Sequence, residues 1–399
     1  MLLRNDHLGR IRPTGVVDLP GNNEKMSRFK KLLKWSLLTL FGLVITLFAF
    51  GYWFMSLIPK ENPELDRSKT VSQSLPYLAE NPLPNRGKIL AVVTSTDTMG
   101  KSGKATGYEL TELSRAYYVF LANGFEVDVA SPKGGKPPVI IDDEDMGVYD
   151  FAFLNDPVAQ EKTKNTIPVY DVDVNEYQAV YFIGGKGAMY DFPNNTHIQS
   201  IVSTYYRSGK VIGAVCHGPA ALVNVTLEGG GPILKGKSVT SFTNNEELFL
   251  IPGAKSIFPF LLEDKLIENE ANFIEGTMYL DNVIQDGNII TGQNPWSTWR
   301  LAETMIRQMG YEPKRRVITP AENAIKVLVS FEDQGYETAK ELITKMADNR
   351  LKMDRTLLAM HSIVAAMQWN VAKSFQLVRL LKYADDKAGE FSEASRTGH

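Results

Sequence analysis

The chain has 399 residues, of which 44% are hydrophobic and 22% are charged, a composition typical of a globular protein with a sizeable core. Its 43 Lys and Arg residues nearly balance its 46 Asp and Glu residues, so the net charge of −3 disfavours nucleic acid as a partner. One cysteine excludes intramolecular disulfides and cysteine-cluster metal sites, and five histidines leave little material for a His-rich site. We expect no metal and no other cofactor.

The N-terminal region is organised around one long apolar segment. Residues 35–58 contain no charged side chain and exceed the roughly 20 residues that a helix needs to cross ~30 Å of hydrocarbon. The preceding tail, residues 1–34, is basic where it meets this segment. The positive-inside rule therefore predicts a single-pass membrane protein with a cytoplasmic N-terminus and a main domain on the periplasmic or extracellular side. The lipid bilayer is then a partner of residues 35–58.

A cleaved signal peptide is the alternative interpretation of this segment, because Ala49-Phe50-Gly51 loosely fits the small-x-small cleavage pattern. The apolar run continues beyond that site and the leading tail is long, which favours an uncleaved anchor. Residues 59–87 are repeatedly interrupted by proline and show no sustained periodicity. They predict an extended linker between the membrane and a folded domain.

Strands alternate with helices in the domain that follows. Short apolar, β-branched runs predict strands at residues 89–94, 125–130, 179–183 and 211–215, and a helical pattern extends from about Tyr108 to Asn123. The alternation predicts an α/β fold, a doubly wound and mostly parallel sheet with helices on both faces. Residues 131–176 predict an insertion over one end of the sheet, and the acidic run 142–145 predicts a solvated loop. The last part of the chain, residues 312–399, predicts a helical appendage of two or three helices.

The most informative segment is Gly209–Val225, GKVIGAVCHGPAALVNV. A buried strand runs directly into Cys216, and the small residues Ala214 and Gly218 flank it at two positions on either side. This pattern favours a sharp turn between a strand and a helix, which lifts a nucleophile above the carboxyl edge of the sheet. We expect the positive end of the helix to favour the thiolate, the form that attacks a carbonyl carbon.

Other residues near the same sheet edge complete a candidate site. His217 follows the cysteine and is the nearest possible base, although adjacency in sequence does not guarantee contact. Gly184 and Gly185 follow another predicted strand, and their backbone N–H groups, with the amide of His217, could form an oxyanion hole. The segment lacks the third glycine of a dinucleotide-binding fingerprint, so nucleotide binding is unsupported.

These segments resemble the PfpI-type superfamily, which includes the Parkinson-disease deglycase, glyoxalase III and heat-shock chaperone branch and is often labelled class I glutamine amidotransferase-like. The resemblance covers residues 88–311, and it is carried by TGYELTELSRAYYVFLANGFEVDVASPKGG, FIGGKGAMYDFP, AVCHGPAAL, GKSVTSFTNNEE, FPFLLEDKL and DGNIITGQNPWST. It implies a flavodoxin-like fold, and homodimerisation is an expectation that comes from the family alone.

The resemblance also implies roles for individual residues. Cys216 matches the family nucleophile, His217 the histidine that follows it, and Glu247 the acid that orients that histidine. Glu112 matches the acid that hydrogen-bonds the nucleophilic sulfur, with Glu109 as a neighbouring alternative. Gly185 matches the glycine on the oxyanion side.

The function we expect from this resemblance is that of a membrane-anchored glyoxalase III-type enzyme. It would convert a small carbonyl substrate, a 2-oxoaldehyde such as methylglyoxal, to a 2-hydroxy acid without glutathione or metal. A cysteine hydrolase of peptides or glycated adducts is one alternative, and an envelope chaperone or redox sensor without turnover is another. Glutamine hydrolysis is disfavoured because the only histidines after His217 are His361 and His399, and neither is followed by x-Glu.

Overall fold

The computed structural model describes residues 22–58, 67–142 and 145–397. Most of the predicted basic tail, the first part of the predicted linker (residues 59–66) and the acidic residues 143–144 lie outside the described residues. The chain divides into two compact units, Met1–Ile58 and Pro59–His399.

The first unit contains a single helix, α1, which spans Asn22–Ser56. Its portion Arg28–Ser56 is long and apolar enough to cross a membrane. A core helix of a soluble protein would bury such a surface, whereas the large apolar side chains here are mostly exposed, including Phe48 at 77% and Tyr52 at 84%. A signal sequence near the N-terminus meets the same criteria of length and composition.

A seven-stranded sheet forms the centre of the second unit. The strands of this unit are β1 Lys88–Val92, β2 Tyr108–Glu109, β3 Glu126–Ser131, β4 Val139–Ile140, β5 Ile167–Pro168, β6 Tyr177–Phe182, β7 Val211–Val215, β8 Ser238–Val239, β9 Asn272–Phe273, β10 Val283–Asp286 and β11 Ile289–Gly292. The central sheet has the order β10-β11-β7-β6-β1-β3-β5, and every neighbouring pair is parallel except β10 and β11, which are antiparallel. Two small sheets pair β2 with β4 and β8 with β9.

Helices cover both faces of this sheet. The helices of the second unit are α2 Pro76–Ala79, α3 Leu110–Ala122, α4 Val148–Asn155, α5 Pro157–Lys164, α6 Ala188–Asp191, α7 Thr196–Arg207, α8 Asn244–Leu250, α9 Ala254–Ile257, α10 Leu262–Glu268, α11 Thr298–Gln308, α12 Pro320–Gln334, α13 Tyr336–Asp348, α14 Arg355–Met367 and α15 Val371–Thr397. Alternate residues of β6 enter two separate cores: Tyr181 packs on the side of α3 and α11, and Phe182 on the side of α7. Because both faces are buried, the central strands are nearly continuous apolar runs. The structure therefore has the predicted doubly wound, flavodoxin-like α/β architecture.

The C-terminal region differs from the prediction, because it contains four helices, α12 to α15, rather than two or three. Arg316 joins it to the sheet domain. Its guanidinium contacts Glu303 of α11 at 2.9 Å and Glu322 of α12, and it stacks over the Trp299 ring at 4.3 Å from the centroid. The predicted insertion at residues 131–176 contains β4, α4, α5 and β5.

Candidate active site

The candidate nucleophile lies on a strained turn at the carboxyl end of β7. Cys216 has φ of +57°, a left-handed conformation that costs a non-glycine residue on the order of 1–3 kcal/mol. Two backbone hydrogen bonds of 2.9 Å hold it: its N–H donates to Gly292 O, and its carbonyl accepts from Phe242 N. Gly218 is sterically required, because a Cβ there would lie 2.2 Å from Phe182 O. The turn is the predicted sharp elbow.

The segment after this turn differs from the prediction. Residues Gly218–Leu222 form a five-residue 3₁₀ helix and no α-helix follows directly. A helix this short contributes little macrodipole, so it does not supply the predicted stabilisation of the thiolate. Burial raises the pKa of the Cys216 thiol, and the neighbouring Glu112 carboxyl raises it further. The resting site therefore favours the thiol, whose proton must move to a partner before attack.

That partner lies beside the sulfur. The Cys216 Sγ is 3.2 Å from His217 Nδ1, and His217 Nε2 is 2.5 Å from Glu247 Oε2. Burial by itself would raise the pKa of Glu247, but the His217 ring lowers it below the usual value. The ionised carboxylate accepts a hydrogen bond from Nε2–H, which leaves Nδ1 free to take the thiol proton. Phe242 packs against the histidine, with ring centroids 4.9 Å apart. The three residues thus form a connected chain.

Glu112 lies on the other side of the sulfur. Its side chain is fully buried, its Oε2 accepts a 2.8 Å hydrogen bond from Gly184 N, and its carboxyl is close enough to the Cys216 thiol for each group to act on the pKa of the other. The Tyr181 hydroxyl donates to the Glu112 carbonyl at 3.0 Å and holds the first turn of α3 in place. Burial raises the pKa of Glu112 well above its usual value, and the charge of Glu109 adds to the effect. Burial and the charge of Glu109 therefore favour the neutral carboxylic acid form of Glu112 next to the thiol.

The second acid considered from the sequence, Glu109, does not hydrogen-bond the sulfur among the contacts within the described residues. Burial raises its pKa to about 7, and the charge of Lys186 acts in the opposite direction. It is a charged neighbour of Glu112 rather than a direct partner of Cys216.

The backbone amides near the sulfur differ in whether their N–H groups already have an acceptor. The Gly184 N–H is engaged by Glu112, which differs from its predicted role as an oxyanion donor. The N–H groups of Gly185 and His217 have no acceptor among the residues that the structure describes. Gly185 has φ of +95°, and a Cβ there would lie 2.3 Å from Gly107 O, so only glycine fits. These two amides are the available donors for an oxyanion.

Several supporting residues were not predicted from the sequence. Glu246 is fully buried and accepts hydrogen bonds from Thr243 N, Tyr279 N, Gln293 Nε2 and Asn294 Nδ2 at 2.7–3.1 Å. It therefore fixes the loop before α8. The sequence contains a pattern that indicates this role, because Thr243 and Glu246 form a Ser/Thr-x-x-Glu capping box. The Glu246 side chain therefore bonds the backbone at the start of α8, and the Glu247 side chain remains available to bond His217. Within the described ranges, no three His, Cys, Asp or Glu side chains are grouped as a metal site requires.

Fold and site together define an α/β protein whose single cysteine lies on a strained turn at the sheet edge, between a histidine–glutamate pair and a buried acid. Residues 104–308 match the DJ-1/PfpI family, and the chain belongs to this family.

Curated relatives extend the similarity. The chain is 32% identical over 229 residues to Glyoxalase 3 of Candida albicans, covering 55% of this chain and 96% of that protein. It is 31% identical over 219 residues to the Glutathione-independent glyoxalase HSP31 of Saccharomyces cerevisiae, covering 52% and 92%. Among solved structures, Rapid Encystment Protein 24 KDa of Francisella tularensis is 39% identical, with a TM-score of 0.53, over 56% of this chain and 99% of that one.

Proposed function

We propose that this protein is a cysteine-dependent glyoxalase of the glyoxalase III type, which converts 2-oxoaldehydes such as methylglyoxal to 2-hydroxy acids without glutathione. The names of the curated relatives support the activity. The observation that carries the proposal is that Cys216 Sγ lies between His217 Nδ1, at 3.2 Å, and the buried carboxyl of Glu112. In this arrangement His217 can accept the proton of the thiol, and Glu112 can transfer a proton of the substrate.

The burial of the site favours a small substrate over a peptide. Cys216 is 5% exposed, and His217 is 1% exposed. A peptide bond carries bulky chain on both sides and would need an open groove at the sulfur, whereas a three-carbon oxoaldehyde is small enough for a nearly closed site. This favours a glyoxalase over a peptidase.

The first step joins the sulfur to the substrate. His217 Nδ1 takes the thiol proton, and the resulting imidazolium is stabilised by the Glu247 carboxylate. The thiolate attacks the aldehyde carbon, the C=O π bond breaks, and the charge that develops on oxygen is stabilised by the amides of Gly185 and His217. Glu112, protonated in the resting site, gives its proton to this oxygen and forms a hemithioacetal.

The second step moves a hydrogen within the substrate. Glu112, now a carboxylate, removes the proton from the former aldehyde carbon, and the His217 imidazolium protonates the neighbouring carbonyl oxygen, which gives an enediol. Glu112 then returns its proton to the neighbouring carbon, while the hydroxyl on the former aldehyde carbon gives its proton to His217 and becomes the carbonyl of the thioester. The product is a thioester of a 2-hydroxy acid. Water hydrolyses this thioester, releasing the acid and restoring the thiol. The overall change adds one water to the oxoaldehyde and needs no external oxidant or reductant.

The test is an assay for lactate formed from methylglyoxal without glutathione, with the full-length chain and Cys216→Ser. We expect turnover by the parent chain and loss of nearly all of it in the variant, because a serine hydroxyl is a much weaker nucleophile at neutral pH. Ordinary turnover by Cys216→Ser would contradict the mechanism. Peptide cleavage without lactate formation would favour the hydrolase alternative, and aggregation suppression that survives Cys216→Ala would favour a chaperone.

We also propose that residues 35–58 anchor the protein as an uncleaved single-pass segment, with a cytoplasmic N-terminus and the enzyme domain outside. The charge asymmetry at the two ends of the segment supports this orientation. Retention in the membrane after alkaline carbonate extraction is expected, and protease added from outside should reach the enzyme domain. Release of a shortened, soluble domain would instead indicate a cleaved signal peptide. The expected homodimer is testable by light scattering.

A further inference from the structure

The loop between β6 and α6, residues 183–187, carries two side chains, those of Ile183 and Lys186. Residues Gly184, Gly185 and Gly187 each face atoms that a Cβ would approach too closely: His217 N at 2.7 Å, Gly107 O at 2.3 Å and Thr94 Cγ2 at 2.7 Å, respectively. Close packing therefore requires glycine at all three. Ile183 is fully buried in the apolar core on the side of α3 and α11, so Lys186 contributes the polar side chain of this loop.

Lys186 is a partly buried cation that makes no direct ion pair within the described residues. Its ammonium has no hydrogen bond or ion pair to another residue in the part of the chain that the structure describes. Partly buried charges are ordinarily paired, because removing an ammonium from water is costly. An unpaired lysine with restricted access to solvent is therefore suited to bind an anion that arrives with a ligand.

The charge of this lysine acts on the candidate active site. Burial raises the pKa values of Cys216 and Glu109, and Lys186 counteracts the rise at both. Its charge also helps to lower the pKa of Glu247. Three groups around the sulfur thus lie within the electrostatic reach of one ammonium. Lys186 also directly follows Gly185, whose free amide is one of the proposed oxyanion donors.

We infer that Lys186 forms a subsite for a carboxylate, and that the preferred substrates are 2-oxoaldehydes that carry a carboxylate at the end remote from the aldehyde. This inference rests on the proposed glyoxalase function. The two free amides are assigned to the oxygen on the reacting carbon, which leaves the ammonium for a second charge on the same substrate. One ammonium balances one negative charge, which matches a carboxylate better than a phosphate dianion.

The test compares two substrates with the same carbon skeleton, 4,5-dioxopentanoate and 2-oxopentanal, on the full-length chain in detergent micelles. The parent protein should show the higher kcat/KM for the carboxylate. Lys186→Met should lower kcat/KM for both, because the charge also acts on Cys216, and it should reduce the ratio of the two values by about tenfold to a hundredfold. Lys186→Arg should largely preserve the ratio.

A matched control removes a lysine that lies outside the proposed site. Lys164, at the end of α5, is exposed, and Lys164→Met should leave both kcat/KM values unchanged. If Lys186→Met does not fold, as judged by its melting curve, Lys186→Gln provides a second neutral variant. An unchanged ratio in a folded neutral variant would overturn the inference while leaving the glyoxalase function intact.

A binding measurement separates the inference from the function on which it rests. Calorimetry of 4,5-dioxopentanoate with Cys216→Ala measures affinity without turnover, and adding Lys186→Met should weaken that affinity by about tenfold or more. If the parent chain turns over neither substrate, the proposed function is wrong, and this binding difference alone decides whether the carboxylate subsite exists. Equal affinities in the two backgrounds would refute it.

Discussion

Replacing Glu112 by glutamine gives the most direct test of the proposed proton transfer. The substitution keeps the shape of the side chain, and the amide oxygen remains able to accept the hydrogen bond that Gly184 N now donates at 2.8 Å. What it removes is the exchangeable carboxyl proton. A positioned acid–base group is worth about 10²–10⁴ in rate, or roughly 3–5 kcal/mol of the barrier. We therefore expect kcat for methylglyoxal to fall by that factor.

The same variant should be no less stable at neutral pH, which separates a chemical role from a structural one. Because burial raises the pKa of Glu112, the folded protein keeps a proton that the unfolded chain loses above its ordinary pKa near 4.5. The contribution of Glu112 to stability is therefore fully present below that pH and is lost as pH rises toward the folded pKa. Glutamine has no proton to lose, so Glu112→Gln should melt at a higher temperature relative to the parent at about pH 8 than at about pH 5.

The assay measures lactate production by Glu112→Gln and by Glu109→Gln, each with a melting curve. Glu109 lies three residues earlier and does not hydrogen-bond the sulfur among the described residues, so its variant should keep kcat within severalfold. Equal losses in the two variants would refute the assignment, as would full activity in Glu112→Gln. A large fall in the melting temperature of Glu112→Gln would show that the carboxyl stabilises the fold rather than transferring a proton.

Three further predictions follow from the same geometry. Glu247→Gln removes the charge opposite His217 and should lower kcat/KM by about tenfold to a hundredfold, the value of a hydrogen bond to a charged group, with an unchanged circular dichroism spectrum. Gly218→Ala places a methyl group 2.2 Å from the Phe182 carbonyl and should destabilise the fold by about 1–3 kcal/mol in denaturant titration, whereas Gly253→Ala, with its nearest contact at 3.8 Å, should not. Glu109→Gln should be more stable than the parent by roughly 3 kcal/mol at about pH 8 but not at about pH 4, since burial raises the pKa of Glu109 from 4.5 to about 7; equal stabilities at both pH values would contradict this.

The sheet was predictable where burial on both faces leaves a continuous apolar run. The run VIGAV predicts β7 at residues 211–215, and the structure has the strand at the same bounds, Val211–Val215. The antiparallel pair β10 and β11 was not predicted as strands, because each has four residues and a two-residue turn separates them. The number of C-terminal helices was wrong because Gly335, at φ of +88°, ends α12 while the apolar pattern resumes at once in α13.

Part of the candidate site could be predicted from the sequence. The turn at Cys216 follows from the small residues on both sides of it, and the proximity of His217 follows from adjacency. Glu112 and Glu247 came from the family resemblance, because no local pattern indicates that acids 104 residues before and 31 residues after the cysteine converge on it. The state of the thiol could not be predicted either: it depends on burial and on the Glu112 carboxyl, and both arise only from tertiary packing.

The hydrogen bonds that hold the nucleophile have a consequence for biosynthesis. The main chain of Cys216 is fastened by Gly292 on one side and by Phe242 on the other, and both are made after the cysteine during translation. A nascent chain that has not yet emerged as far as residue 292 lacks the strand that accepts the hydrogen bond from Cys216 N–H, so the turn at the cysteine is not yet held on both sides. The proposed site is thus completed late in synthesis, after residue 292 has left the ribosome.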